Sequence, residues 1–108
     1  MARIFLDANI LIDIVEKRKD MSLDDFNNHE VYISPLSIHI LFYVIKKKLP
    51  FPRLSDILSH INIVSLSIKI TENALSGPTT DFEDNVQLHS GTEAECDLSL
   101  IEDKNLLN

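Results

Sequence analysis

Several common signatures are missing from this 108-residue chain. Its single cysteine, Cys96, cannot close an internal disulfide, so no disulfide scaffold of a secreted domain can form within it. No apolar run approaches the ~20 residues needed to span a bilayer, and only Met1-Ala-Arg precedes the first apolar segment, with no leader-like pattern. These readings predict a cytoplasmic protein with no membrane partner. Internal repeats, low-complexity tracts and linkers are also lacking, so residues 1–108 are expected to form a single domain. Positive charge is scarce: 17 acids face 10 bases, a formal net charge of −7. A nucleic-acid binder normally carries a basic patch. The deficit is reconciled if several acids converge on a divalent cation, which cancels charge where a substrate arrives.

The remaining composition is that of a globular protein, with 44% hydrophobic and 25% charged residues. The organising stretch is Arg3-Ile-Phe-Leu-Asp7-Ala-Asn9-Ile-Leu-Ile-Asp13. Ile4-Phe-Leu6 reads as a strand buried on both faces, and the run from Ile10 to Val15 as a helix. Lys17-Arg-Lys19 is expected at the solvated end of that helix, with Asp13 and Lys17 paired on its exposed face. Ser22 can cap a short helix through Phe26, and Val31-Tyr-Ile33 reads as a second strand. Pro35 to Lys48 has strand-like composition but helix length, opened by Ser-Pro and closed by lysines. A helix beginning at Pro52 places Leu54, Ile57, Leu58 and Ile61 on one apolar stripe. That stripe either packs inside or forms a homodimer face. Ile61–Val64 reads as a strand, and Ser67–Ser76 as a helix ended by Gly77-Pro78. Thr80 and Glu83 form a capping-box pattern for a helix running to about Glu93. Asp97–Ile101 reads as a last strand. The alternation implies an α/β fold of three α/β/α layers, around a mainly parallel sheet of about four strands.

Two acids end strands in this reading, Asp7 and Asp103, and Asp84 lies one turn into a helix. Carboxylates converging at one sheet edge would repel by roughly 4 kcal/mol per pair at about 4 Å and an effective dielectric near 20. A bound cation relieves that repulsion, and hard oxygen donors select Mg2+ or Mn2+. Each acid also has a plainer role: Asp7 as a helix cap, Asp84 as a solvated helix residue, Asp103 as a turn former. Glu102 reads as a solvated neighbour, Lys46–Lys48 as a wet helix end, and Cys96 as a small core residue. His29, His39, His60 and His89 have no metal-ligand spacing.

The segments Phe5-Leu-Asp7-Ala-Asn9-Ile, Ile33-Ser-Pro-Leu-Ser-Ile, Asp81-Phe-Glu-Asp84-Asn-Val-Gln and Cys96-Asp-Leu, with Glu102-Asp103-Lys-Asn, resemble the PIN-domain family in order and spacing. That family includes the VapC-type toxins of toxin–antitoxin systems. The resemblance implies a Mg2+- or Mn2+-dependent endoribonuclease whose metal-binding, catalytic acids are Asp7, Asp84 and Asp103. Asn9 and Asp81 support the site, RNA is the substrate and an antitoxin protein the partner. The sequence departs from the family pattern where a glutamate is usual in the helix after the second strand: the position holds Ile40. The chain also ends soon after Asp103, where many family members continue. The alternative is a degenerate PIN fold that binds RNA or a protein without cleavage. A phosphatase of the haloacid-dehalogenase type fits less well, since it wants an Asp-x-Asp pair and position +2 is Asn9.

Overall fold

The computed structural model describes residues 1–100. Within them, four strands form one sheet: β1 (Arg3–Leu6), β2 (Glu30–Ile33), β3 (Asn62–Ile63) and β4 (Leu98–Leu100), in the order β3-β2-β1-β4. Every pairing is parallel, with Ile4 opposite Val31 and Leu98, and Tyr32 opposite Asn62. Five helices connect them: α1 (Ala8–Val15), α2 (Pro35–Ile45), α3 (Pro52–Leu58), α4 (Ile68–Ser76) and α5 (Phe82–Glu93). The chain lays β1, β2 and β3 outward in one direction and then returns to place β4 on the other side of β1. The strand order therefore reverses at β1, and the crevice beyond the carboxyl ends of β1 and β4 is the position where open α/β sheets hold ligands.

Side-chain alternation on β1 divides the layers. Ile4 and Leu6 enter a core with Ile10, Leu11, Ile14 and Val15 of α1, Leu41 of α2 and Leu54 of α3. Phe5 faces the other way, toward Gly91 of α5. A smaller core joins Ile70 and Ala74 of α4 to Val86 of α5, with Leu36 and Val64 against it. Leu6, Leu11, Ile33 and Leu41 are completely enclosed, each contributing roughly 1.5–3 kcal/mol by leaving water. The stripe Leu54-Ile57-Leu58 packs against this same core, with Leu54 buried and Ile57 and Leu58 half-buried.

Gly91 sets the approach of α5 to the sheet. A Cβ there would lie 3.4 Å from Phe5 Cγ and 3.5 Å from Ser99 Oγ, which is contact without overlap. Gly91→Ala should therefore leave stability unchanged or raise it by up to about 1 kcal/mol through helix propensity. Gly91→Val adds carbons with nowhere to go and should lose about 1–3 kcal/mol in urea unfolding.

Several local expectations shift. α1 stops at Val15, and Lys17 adopts a left-handed conformation (φ 56°) before a single 3-10 turn at Arg18–Asp20. Asp13 is buried, not on an exposed face opposite Lys17, because apolar neighbours surround α1 on nearly all sides. The end of α1 is capped from α3 instead: Arg53 Nε donates to the Val15 carbonyl at 2.7 Å and its guanidinium to that of Ile14 at 3.3 Å. Ser22 does cap, in a reciprocal box with Asp25 over the 3-10 turn Leu23–Phe26. α2 is helical as its length implies, closed by left-handed Lys46. α3 ends at Leu58, and Ile61 reaches the core as the residue before β3. The cap of α5 is Asp81, not Thr80, one residue later than the capping-box pattern suggests. β3 is shorter than read, and β4 begins at Leu98, one residue later than read. Asp97 precedes β4 and accepts the Arg3 N–H on its side chain at 2.8 Å.

Candidate active site

The carboxyl end of β1 positions the first acid. Asp7 leaves the strand with extended backbone, and its Oδ1 accepts the Ile10 N–H at 3.0 Å as the cap of α1. Its own N–H donates to the Leu100 carbonyl at 3.1 Å, tying it to β4 at the reversal in strand order. Asp7 is a helix cap and also lines a cavity of about 200 Å³, with the exposed Asn9 beside it.

The opposite wall is the first two turns of α5. Asp81 Oδ1 accepts the Asp84 N–H at 2.9 Å, which starts the helix and fixes Asp84 at its third position. From there Glu83, Asp84 and Gln87 all line the cavity, at the spacing that puts helical residues on one side. Asp81 itself does not line it and acts through this cap. Both Asp7 and Asp84 sit at helix N-termini, whose partial positive charge favours ionised carboxylates. Among the described residues the charged side chains lining the cavity are the acids Asp7, Glu83 and Asp84.

Gln87 is held from behind. Its Oε1 accepts the Ser34 hydroxyl at 2.7 Å and its Nε2 donates to Ser37 Oγ at 2.9 Å, joining α5 to the first turn of α2. Both serines are fully buried. Thr79, at the cavity rim, donates its N–H and hydroxyl to Asn85 Oδ1 at 2.9 and 2.6 Å. Asn85 Nδ2 donates in turn to the carbonyls of Ala74 (2.8 Å) and Thr79 (2.9 Å). One buried amide therefore joins α4, the loop before α5 and α5 itself.

Ile40 lines the cavity from α2. The position where the family pattern has a glutamate is directed at this space and presents a butyl group to it. His39 next to it is exposed, and His89 Nε2 donates to the Gly77 carbonyl at 2.8 Å, a structural bond. Burial pushes the Cys96 thiol up, against the pull of Arg3 and with the help of Asp97, so the thiolate a nucleophile needs is disfavoured. Asp103 and Glu102 lie outside the described residues. Among the described residues no three His, Cys, Asp or Glu side chains come together in a metal-holding arrangement. Gln87, Thr79 and Ser99 are not singled out in the sequence, and Glu83 is read there only as half of a capping box. Gln87 is one turn beyond Asp84 and was findable from helix spacing alone.

No protein-family model matches the chain, and no curated protein sequence matches it. Solved structures do. One chain of a toxin–antitoxin complex from Klebsiella pneumoniae superposes with a TM-score of 0.74 at 22% identity, over 94% of this chain and 88% of that one. A chain of VapBC2 from Rickettsia felis, solved bound to a DNA fragment from its promoter, gives 0.70 at 18% identity, over 97% and 91%. This chain has the fold of the PIN-domain toxins. In this fold Asp7, Asn9, Ile40 and Asp84 all line one cavity at the carboxyl edge of the sheet.

Proposed function

We propose that the chain is a metal-dependent endoribonuclease acting as the toxin of a toxin–antitoxin pair, held by a protein antitoxin. The observation that carries this reading is the meeting of Asp7 and Asp84, 77 positions apart in the sequence, on the wall of one acidic cavity. Hard carboxylate oxygens suit Mg2+ or Mn2+ better than zinc, which favours nitrogen or sulfur ligands. Asp7 and Asp84 would hold the ion, with Asp103 as the third acid. The ion would supply charge compensation for a phosphodiester and acidity for water. The protein's own part is to orient. The cap to Ile10 fixes Asp7, the Asp81 cap fixes Asp84, and Ser34 and Ser37 fix the Gln87 amide, a neutral donor for a phosphate oxygen. Phe5, Ile40 and Leu88 make the rest of the wall apolar, which strengthens the polar contacts beside them.

The test is cleavage of a mixed single-stranded RNA by purified protein with Mg2+ or Mn2+. Cleavage should vanish on chelation and return with metal; cleavage that persists in chelator overturns the reading.

One observation favours the second reading, a PIN fold that binds without cutting: Ile40 occupies cavity wall where the family pattern has an acid. The substitution Ile40→Glu separates the two. A carboxylate added on this wall would give a divalent ion one more anionic oxygen ligand. Calorimetric Mn2+ affinity should rise roughly tenfold or more. If neither the native chain nor Ile40→Glu binds Mn2+ at millimolar concentration, the binding-only reading stands and the nuclease falls.

A further inference from the structure

All 17 acids of the chain lie outside residues 31–55, a stretch that carries Lys46, Lys47, Lys48 and Arg53. In a protein with a net charge of −7 this is a local reversal of sign, and it coincides with α2 and the loop after it. α2 is also the helix that supplies Ile40 to the cavity wall. Three and four residues on, along the same side of the helix, stand Tyr43 and Val44. Tyr43 is 75% exposed and Val44 48%, although α2 is otherwise rich in core residues. At 1.5 Å per residue, Tyr43 lies about 4.5 Å along the axis from Ile40, and the exposed lysines begin within the next turn. Phe42, by contrast, turns inward and meets Phe51 edge-on at 6.2 Å, so the 46–50 loop is anchored from beneath while its lysines face water. The other basic run, Lys17 to Lys19, has no comparable path. α1 leads to it from Asp7 through six consecutive buried residues, Ile10 to Val15, and Glu16 and Asp20 flank it.

An exposed aromatic ring beside an acidic cavity, followed by three cations, is the arrangement that binds single-stranded nucleic acid: a base stacks on the ring and phosphates meet the ammonium groups. We propose that the outer side of α2 is a track for single-stranded RNA. Tyr43 stacks on a base next to the strand segment in the cavity, and Lys46, Lys47 and Lys48 hold the following phosphates. This rests on the reading of RNA as substrate, and it locates specificity for unpaired strands on Tyr43, since a base within a duplex has no face to offer.

The experiment is fluorescence anisotropy with a 5′-labelled single-stranded RNA of mixed sequence, in chelator so that nothing is cut, across a salt series. Tyr43→Ala should weaken binding by about 5- to 100-fold, and Tyr43→Trp should retain it. Replacing Lys46, Lys47 and Lys48 together by Gln should lower the slope of log affinity against log salt by about 2. Thermal melts of these exposed-site variants should match the native protein. RNA affinity unchanged within twofold in both Tyr43→Ala and the triple variant overturns the track, as would be seen if the patch received a protein segment instead. So does native protein that binds no RNA while still cleaving it with metal, an outcome that leaves the nuclease reading intact. Binding that weakens as expected in a native protein unable to cleave with any divalent ion keeps the track and removes the nuclease.

Discussion

Asp7→Asn should abolish metal-dependent RNA cleavage while leaving the protein folded. The two effects separate because the proposal adds a second duty to the cap that the side chain forms. As a cap it needs only an oxygen to accept the Ile10 N–H, and asparagine caps as well as aspartate. As a cation ligand it needs charge, which asparagine lacks. With one of the two described ligands of the proposal neutral, cleavage should fall at least 100-fold, while the unfolding free energy in urea stays within about 0.5 kcal/mol of native. Asp7→Ala is the control: it loses the cap too and should cost about 1 kcal/mol. Cleavage by Asp7→Asn at native rate would remove Asp7 from the chemistry.

The largest expected loss of stability among polar substitutions is at Asn85. Its amide uses its full capacity of two donors and two accepted bonds, all to groups of residues 74 and 79, at 2% exposure. Asn85→Ala strands two carbonyls and a backbone N–H in the interior and should cost roughly 2–4 kcal/mol, measured by urea unfolding. Asn85→Asp should be no better despite its shape. It keeps the Thr79 donors, but sets a carboxylate oxygen against the carbonyls of Ala74 and Thr79. Because Thr79 lines the cavity, both variants should also weaken Mn2+ binding relative to a surface control. If Asn85→Ala unfolds within 0.5 kcal/mol of native, the amide does not join α4 to α5 as described.

What the sequence reveals of this fold follows from how much each signal depends on distant parts of the chain. Asp7 was legible because an apolar strand ending on an acid before a helix is a local pattern. The parallel sheet followed from alternation, and α2 from the length of its apolar run. The cap of α5 was misread by one residue because Thr79, Thr80 and Asp81 can all cap, and only the bond to Asp84 N–H decides among them. Asp13 was misplaced by pairing it with Lys17 on spacing alone, although five apolar neighbours from Ile10 to Val15 argued for burial. Gln87 and Thr79 were invisible as a group, since their roles depend on Ser34, Ser37 and Asn85 meeting them across separate elements. Asp103, the third acid of the resemblance, lies outside the described residues, so its place at the rim stays a proposal.

The shortness of β3 bears on how a partner can attach. Asn62 and Ile63 are the whole of that border strand, and Asn62 turns its own amide inward to the Val31 carbonyl at 3.2 Å. An incoming polypeptide could zip onto only one or two residues there, too few to hold by main-chain pairing. Any companion protein approaching from that flank must grip through helices and side chains.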